Sequence, residues 1–339
     1  MRPFHVLVTG LLRTPDLLER GVTSWNAMRE RRLVGRVLMV TWQSEADRDP
    51  DTCARLRDLG VELIVRPDPP IRGIGNVWPQ MLAMDIGLDH LDPDARVFKT
   101  RADLWLDPAL LEAIATTPGY LDLELPPGAS RVFDQRVWVP WFELTTAFYM
   151  SDECLFGLAR DLRKLINFDE SYSLRYPVSC GITHYRRYLH PFRAITDAFE
   201  PFLLRYTDTG LGTPTRWDRL ASLLADDAYL RCLASAYAAY ASHFRFDSPD
   251  GALEFRHWSS GVPQPLFAPL AESFAPAQAG LKLGQLFCNA DRWLHALLAG
   301  ELPRDELGDR FAEQLGHARA DGLAWNRPRA DLTRERRVA

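Results

Sequence analysis

Four short apolar runs, each followed by a helix-patterned segment, most constrain what this chain can fold into. They are FHVLV at 4–8, VLMVT at 37–41, VELIV at 61–65 and RVF at 96–98. Runs this short, rich in β-branched residues and bounded by turn or charged residues, read as strands buried on both faces. Residues 16–32 and 50–59 carry helical patterning, the second closed by Gly60. A third helix is expected over WPQMLAMDIGLDHL, with Asn76 as its N-cap, Pro79 in its first turn, and Leu82, Ile86 and Leu91 on one buried stripe. Strands separated by helices pair in parallel and take helices on both faces. The expected fold is therefore α/β, a Rossmann-type, mostly parallel sheet whose ligands gather outside the carboxyl ends of its strands.

Beyond this region the texture changes. Residues 119–150, with YLDLELP, VFDQRVWVPWFEL and TTAFYM, are β-rich and aromatic. SDECLFGLARDLRKL then reads as a helix capped by Ser151, and residues 216–241 as the clearest long helix of a mainly helical C-terminal region. The last dozen residues are polar and expected to fray. Two units are expected, 1–165 and 166–339, and 339 residues with 47% apolar content suffice for a large core.

Composition removes several functions. A net charge of −5 and a pI near 5.9 argue against a broad nucleic-acid face. Basic residues are nearly all Arg, with Lys only at 99, 164 and 282. The five cysteines are scattered without a CxxC pair, so neither a disulfide framework nor a zinc site is indicated and a reducing compartment fits. MRPFHVLVTGLLRTPD lacks the apolar core and cleavage site of a secretory signal, and no run of about 18 apolar residues exists to span a membrane. A cytoplasmic protein is expected, with peripheral contact at the inner membrane face left open. Gly73 and Gly75 lack the third glycine of a dinucleotide fingerprint, and there is no P-loop, GxSxG or HExxH. His184 and His190, six apart, are poorly spaced as metal ligands and read as structural or surface residues.

The stretch FKTRADLWLDP at 98–108 carries more chemistry, because an apolar strand runs into Lys99, Arg101 and Asp103 before Pro108 starts a helix. It resembles the strand-end segment of GT-A glycosyltransferases, in which an apolar strand leads into Asp-x-Asp and a Pro-started helix. Asp103 matches the second Asp, and Arg101 stands in the place of the first. Thr41-Trp42 after the second strand, GNxxxQ at 75–80, KxRxD at 99–103 and the downstream FYMSDECLFGLARDL together resemble the WavE lipopolysaccharide-synthesis family, over roughly residues 4–165. The resemblance implies a GT-A-like sheet. It also implies transfer of a sugar from a nucleotide-sugar donor to a glycan or lipid-linked acceptor, in lipopolysaccharide or capsule synthesis.

A departing diphosphate needs fixed positive charge. A divalent cation, Mn²⁺ or Mg²⁺, on Asp103 would supply it, with Lys99 or Arg101 alongside. The arginine at the first aspartate position leaves open whether Arg101 meets the diphosphate itself, or whether Asp103 is only the structural partner of Lys99 or Arg101. The resemblance places Thr9 and Gly10 near the nucleobase, with Thr41 and Trp42 at the neighbouring strand end. Asn76 and Gln80, one helical turn apart, are donor-binding candidates, and Arg72 on the loop before them is a diphosphate candidate. An inverting transfer needs a carboxylate base. Asp152 is the first candidate, although it also suits an ordinary helix start, and Glu143 is the second. Trp138, Trp141, Phe148 and Tyr149 are either sugar-stacking walls or core. Two rival readings stand beside this one: a nucleotidyltransferase acting on sugar phosphates, and a non-catalytic glycan-binding protein.

Overall fold

The computed structural model describes residues 2–71, 76–125, 129–140, 142–143, 150–168, 190–192, 195, 202, 225–246, 249, 254–257, 264–265, 287–288, 298–299 and 306–320. The four apolar runs are strands: β1 (Phe4–Thr9), β2 (Val34–Trp42), β3 (Glu62–Arg66) and β4 (Arg96–Arg101). Between them lie α1 (Pro15–Glu30), α2 (Gln43–Arg48), α3 (Pro50–Asp58) and α4 (Val77–Asp89). β5 (Leu104–Leu106) and α5 (Pro108–Thr116) follow, the helix capped by the Asp107 side chain, which accepts from Ala109 N–H at 2.9 Å. The remaining described elements are β6 (Val137–Trp138), β7 (Phe142–Glu143), β8 (Leu155–Leu158), α6 (Ala159–Arg163), α7 (Asp227–His243), β9 (Phe244–Arg245), β10 (Glu254–His257), β11 (Gln264–Pro265), β12 (Phe287–Cys288) and α8 (Glu306–Ala320).

The main sheet runs β3-β2-β1-β4-β8-β6-β9. β1 pairs in parallel with β2 (Leu7 opposite Leu38) and with β4 (Leu7 opposite Lys99, Thr9 opposite Arg101), and β2 pairs in parallel with β3. β8 lies antiparallel to β4, with Phe98 opposite Phe156. The alternation of side chains along each strand feeds two cores. Phe4, Val6 and Val8 pack with Leu18, Val22 and Trp25 of α1, Leu56 of α3 and Leu110 of α5 on one face. Leu7, Leu38 and Val97 pack with Met84 and Leu88 of α4, Tyr237 of α7 and Phe311 of α8 on the other. The mostly parallel sheet with helices on both faces, followed by a helical region, is the architecture the strand–helix alternation implied. No helix among the described residues is long and apolar enough to cross a membrane.

Several local expectations need correction. SDECLFGLARDLRKL is not one helix capped by Ser151. Leu155–Leu158 is a strand buried throughout, and only Ala159–Arg163 is helical. A helix would turn this run of adjacent apolar residues to all sides, whereas a strand between β4 and β6 buries both of its faces. YLDLELP forms no strand among its described residues. Tyr120 and Leu121 are buried there, and their carbonyls accept from Arg245 Nε at 3.1 Å and from Arg136 N–H at 2.8 Å. The buried face of α4 is Met81, Met84 and Leu88, continued by Leu91, while Leu82 and Ile86 are only half-buried. Long-helix character begins at α7, where Asp226 caps by accepting from Ala228 N–H at 3.0 Å, and 216–224 lie outside the described residues. The expected frayed tail lies outside them too. Trp138 is wholly buried core, and Trp141, Phe148 and Tyr149 lie outside the described residues.

Gly87 shows how closely α4 is drawn onto the sheet. A Cβ there would stand 2.2 Å from Cδ1 and 2.8 Å from Cδ2 of Leu7, which is itself wholly buried. Alanine favours a helix over glycine by about 1 kcal/mol, but overpacking a core costs about 1–3 kcal/mol. The clash should win. Gly87→Ala is expected to lower stability by at least about 1 kcal/mol in urea unfolding, with no change in the slope of the transition.

Candidate functional site

The strand ends make one cleft. β1, β2, β3 and β4 are parallel, so their carboxyl ends lie on one edge, and the order reverses between β1 and β4, where an α/β sheet opens its crevice. A cavity of about 350 Å³ sits there. The β1–α1 loop lines it with Gly10, Leu11 and Arg13; the end of β2 and α2 add Trp42, Ser44, Glu45 and Arg48. Asp68 and Pro69 come from beyond β3, Asn76, Pro79 and Gln80 from the start of α4, and Arg101 and Asp103 from the end of β4.

Backbone geometry shapes the floor. Gly10 leaves β1 at φ 120°, a conformation that disfavours a side chain. The neighbouring strand end is tied by Ala102 N–H donating to Thr9 O at 3.0 Å. The hydroxyls of Thr9 and Thr41 are wholly buried and donate to Thr100 O and Gly10 O, each at 3.3 Å. Both threonines hold the floor from beneath without lining it. Asn76 occupies the N-cap position of α4 in the left-handed region (φ 56°), and its side chain makes no capping bond. The expected cap is therefore not formed, because the left-handed turn carries the exposed side chain to the cavity instead. Gln80 Oε1 is buried among the lining and has no hydrogen-bond partner.

The charges are arranged in pairs. Arg101 Nε and Nη2 donate to the two carboxylate oxygens of Asp103 at 2.8 and 2.5 Å, so the ion pair open to Asp103 is formed with Arg101. Burial pulls the Arg101 pKa down, but the hydrogen bonds and charge of Asp103, with Asp152 and Glu153 nearby, outweigh it and hold the guanidinium above its usual value. Glu45, nearly buried, accepts from Leu12 N–H at 2.9 Å and from both terminal nitrogens of Arg48 at 2.7 and 2.5 Å. Asp68 takes the Ser44 N–H at 3.0 Å and the Ser44 hydroxyl.

Lys99 is elsewhere. Its side chain is wholly buried, and Nζ donates to the carbonyls of Asp152 and Glu153 at 2.6 and 3.2 Å. It anchors the segment that carries Asp152 and does not line the cavity. Asp152 is 7% exposed and its charge bears on Arg101. Burial, and then the neighbouring Asp152, push the Glu153 carboxyl up to about 7. Glu143 lies on β7 opposite Phe287, with its side chain outside the described residues, as is Arg72.

The cleft thus brings together Gly10, Trp42, Asn76, Gln80, Arg101 and Asp103 from the sequence-predicted set. Sequence reasoning missed Arg13, Ser44, Glu45, Arg48 and Asp68. Their position after strand ends was a usable signal, but nothing local separates them from solvated surface charge. Among the described residues no group of three or more His, Cys, Asp or Glu is placed to hold a metal ion. Both Asp103 oxygens are taken by Arg101, so these residues do not by themselves fit Mn²⁺ or Mg²⁺.

No family model matches the chain, and no curated protein matches it in sequence. Among solved structures it is similar to the galactosyltransferase LgtC, determined in complex with donor and acceptor sugar analogs, at 13% identity and a TM-score of 0.32, over 51% of this chain. The match spans 65% of that enzyme's chain. The likeness to the WavE family rests on the sequence motifs alone.

Two outcomes are expected here. Lys99→Met removes the Nζ donor that the Asp152 and Glu153 carbonyls share and should cost about 1–3 kcal/mol in urea unfolding. Glu153, with a folded pKa near 7 against an ordinary 4.5, binds its proton more tightly when folded. Its contribution to stability is complete below about pH 4.5 and is lost as pH rises through about 7. Thermal unfolding across that window should therefore show a steeper loss for the unsubstituted chain than for Glu153→Gln.

Proposed function

We infer that this chain is a glycosyltransferase that receives a nucleotide-sugar donor in the strand-end cleft and passes the sugar to a glycan or lipid-linked acceptor. The observation that carries this reading is the cleft itself. An aromatic wall at Trp42, guanidinium groups, and the unpartnered buried acceptor Gln80 Oε1 face one cavity at the point where the strand order reverses. A nucleotide sugar offers a matching set: a base to lie on an apolar wall, an oxyanion for arginine, and hydroxyl donors for an orphaned acceptor. The motif likeness to the WavE family supports reading the work as part of bacterial lipopolysaccharide or capsule construction, in the cytoplasm, with peripheral contact at the inner membrane face left open. Residues 1–165 are read as the donor part, and 166–339 as completing the acceptor side.

In an inverting transfer, the acceptor oxygen attacks the anomeric carbon while the bond from that carbon to the diphosphate oxygen breaks, its electron pair leaving with the phosphate. The acceptor proton passes to a carboxylate. Asp152 suits this role, being buried beside Arg101 on a segment pinned by Lys99; Glu143 is the second candidate. Asn76 and Gln80 then orient donor hydroxyls, and Thr9, Gly10 and Thr41 shape the floor under the base. Lys99 supports Asp152 from behind, and Arg72 is a further diphosphate candidate from the loop before α4.

Titration with UDP, GDP and CMP, followed by a hydrolysis screen of the corresponding nucleotide sugars, tests the reading. One nucleotide is expected to bind and its sugar conjugate to be slowly hydrolysed. Gln80→Met removes an acceptor that has no partner, so it should leave stability almost unchanged while weakening binding about 5- to 10-fold. Asp152→Asn should lower turnover about 10²- to 10⁴-fold with little effect on nucleotide affinity. Failure of every nucleotide to bind would remove the transferase reading. Release of pyrophosphate from a nucleoside triphosphate plus a sugar phosphate would instead establish the nucleotidyltransferase.

A further inference from the structure

Three guanidinium groups line the cleft, and they are not equivalent. Arg48 is forked onto Glu45, and Arg101 onto Asp103. Arg13 also lines the cavity, yet its exposed side chain makes no hydrogen bond or ion pair. Among the described lining residues it is the uncommitted cation. Its backbone, by contrast, is held. Arg13 N–H donates to Leu11 O at 2.9 Å, and the adjacent Leu12 N–H is fixed at 2.9 Å by Glu45, which is itself buried and clamped by Arg48. A free guanidinium on a fixed backbone suits forked binding of a phosphate, and its planar charge needs no metal to do so. Of the three carboxylates that line the cavity, Glu45 and Asp103 are forked with arginine and Asp68 accepts from Ser44, and among the described residues no group of three or more His, Cys, Asp or Glu is placed to give Mg²⁺ or Mn²⁺ the several oxygens it takes.

We propose that Arg13 is the phosphate-binding residue of this cleft, and that a nucleoside diphosphate binds there through it without a divalent cation. This rests on reading the cleft as the nucleotide-sugar site, and it names which group meets the diphosphate charge. The Glu45–Arg48 pair is then a positioning device for the Arg13 loop, and the Arg101–Asp103 pair stays closed when the nucleotide enters.

Calorimetric titration with UDP and GDP, and with uridine and guanosine, in EDTA and again in Mn²⁺, tests this. The favoured diphosphate should bind in EDTA within about threefold of its affinity in Mn²⁺. Arg13→Ala should raise the diphosphate Kd at least about tenfold and leave the nucleoside Kd within about twofold, with Arg13→Lys recovering part of the loss. Because Arg13 is exposed and unpaired, the thermal midpoint of Arg13→Ala should match that of the unsubstituted chain. Diphosphate binding only in Mn²⁺, or equal weakening of diphosphate and nucleoside by Arg13→Ala, overturns this proposal and leaves the nucleotide-sugar reading standing. Absence of UDP and GDP binding in both buffers overturns this proposal, and failure of CMP to bind as well removes the nucleotide-sugar reading.

Discussion

The wholly buried side chain of Lys99 ties the carboxyl edge of the sheet to the segment before β8. A polar group removed wholly from water must find hydrogen-bond partners, and Lys99 Nζ donates to the carbonyls of Asp152 and Glu153. Those bonds bring the chain before β8 across the end of β4 and set two carboxylates near Arg101. The antiparallel pairing of β8 on β4 begins at Lys99 opposite Leu155. One side chain therefore links the parallel half of the sheet, the strand that extends it, and the acidic segment beside the cleft.

The cleft is largely neutralised from within. Glu45 with Arg48, and Asp103 with Arg101, are forked pairs at partly or nearly buried carboxylates, and such pairs fix geometry as well as charge. Their contribution to net stability is modest, since desolvation offsets much of the Coulombic gain. Their consequence lies in position. Glu45 reaches across from α2 to the β1–α1 loop, so the loop after the first strand is held by the helix after the second. Glu153 adds a carboxyl whose burial favours its neutral form, next to an aspartate on the same segment.

Much of the fold was legible in the sequence because short apolar runs and intervening helical patterns carry their own periods. FHVLV, VLMVT and VELIV became strands within a few residues of their expected ends. SDECLFGLARDLRKL misled because its polar ends suit a helix while LFGL is buried on both sides, a fact set by β4 and β6 and invisible locally. Asn76 misled for a related reason. Asparagine is favoured both as a helix cap and in the left-handed region, and Asn76 takes the second without a side-chain capping bond.

Local pattern was enough to establish a parallel α/β sheet and to locate polar residues at its strand ends, because side-chain alternation and helical period are properties of consecutive residues. It was enough to single out Arg101 and Asp103 as a pair of interest, since they are two residues apart on one strand end. Tertiary structure alone decided which charges answer which. Lys99 turned inward to carbonyls some fifty residues away, Glu45 reached back to the loop after β1, and Arg13 and Gln80 Oε1 came to the same cavity without partners. Those outcomes depend on strand order, register and the depth of each side chain, none of which is encoded in the spacing of residues along a single segment.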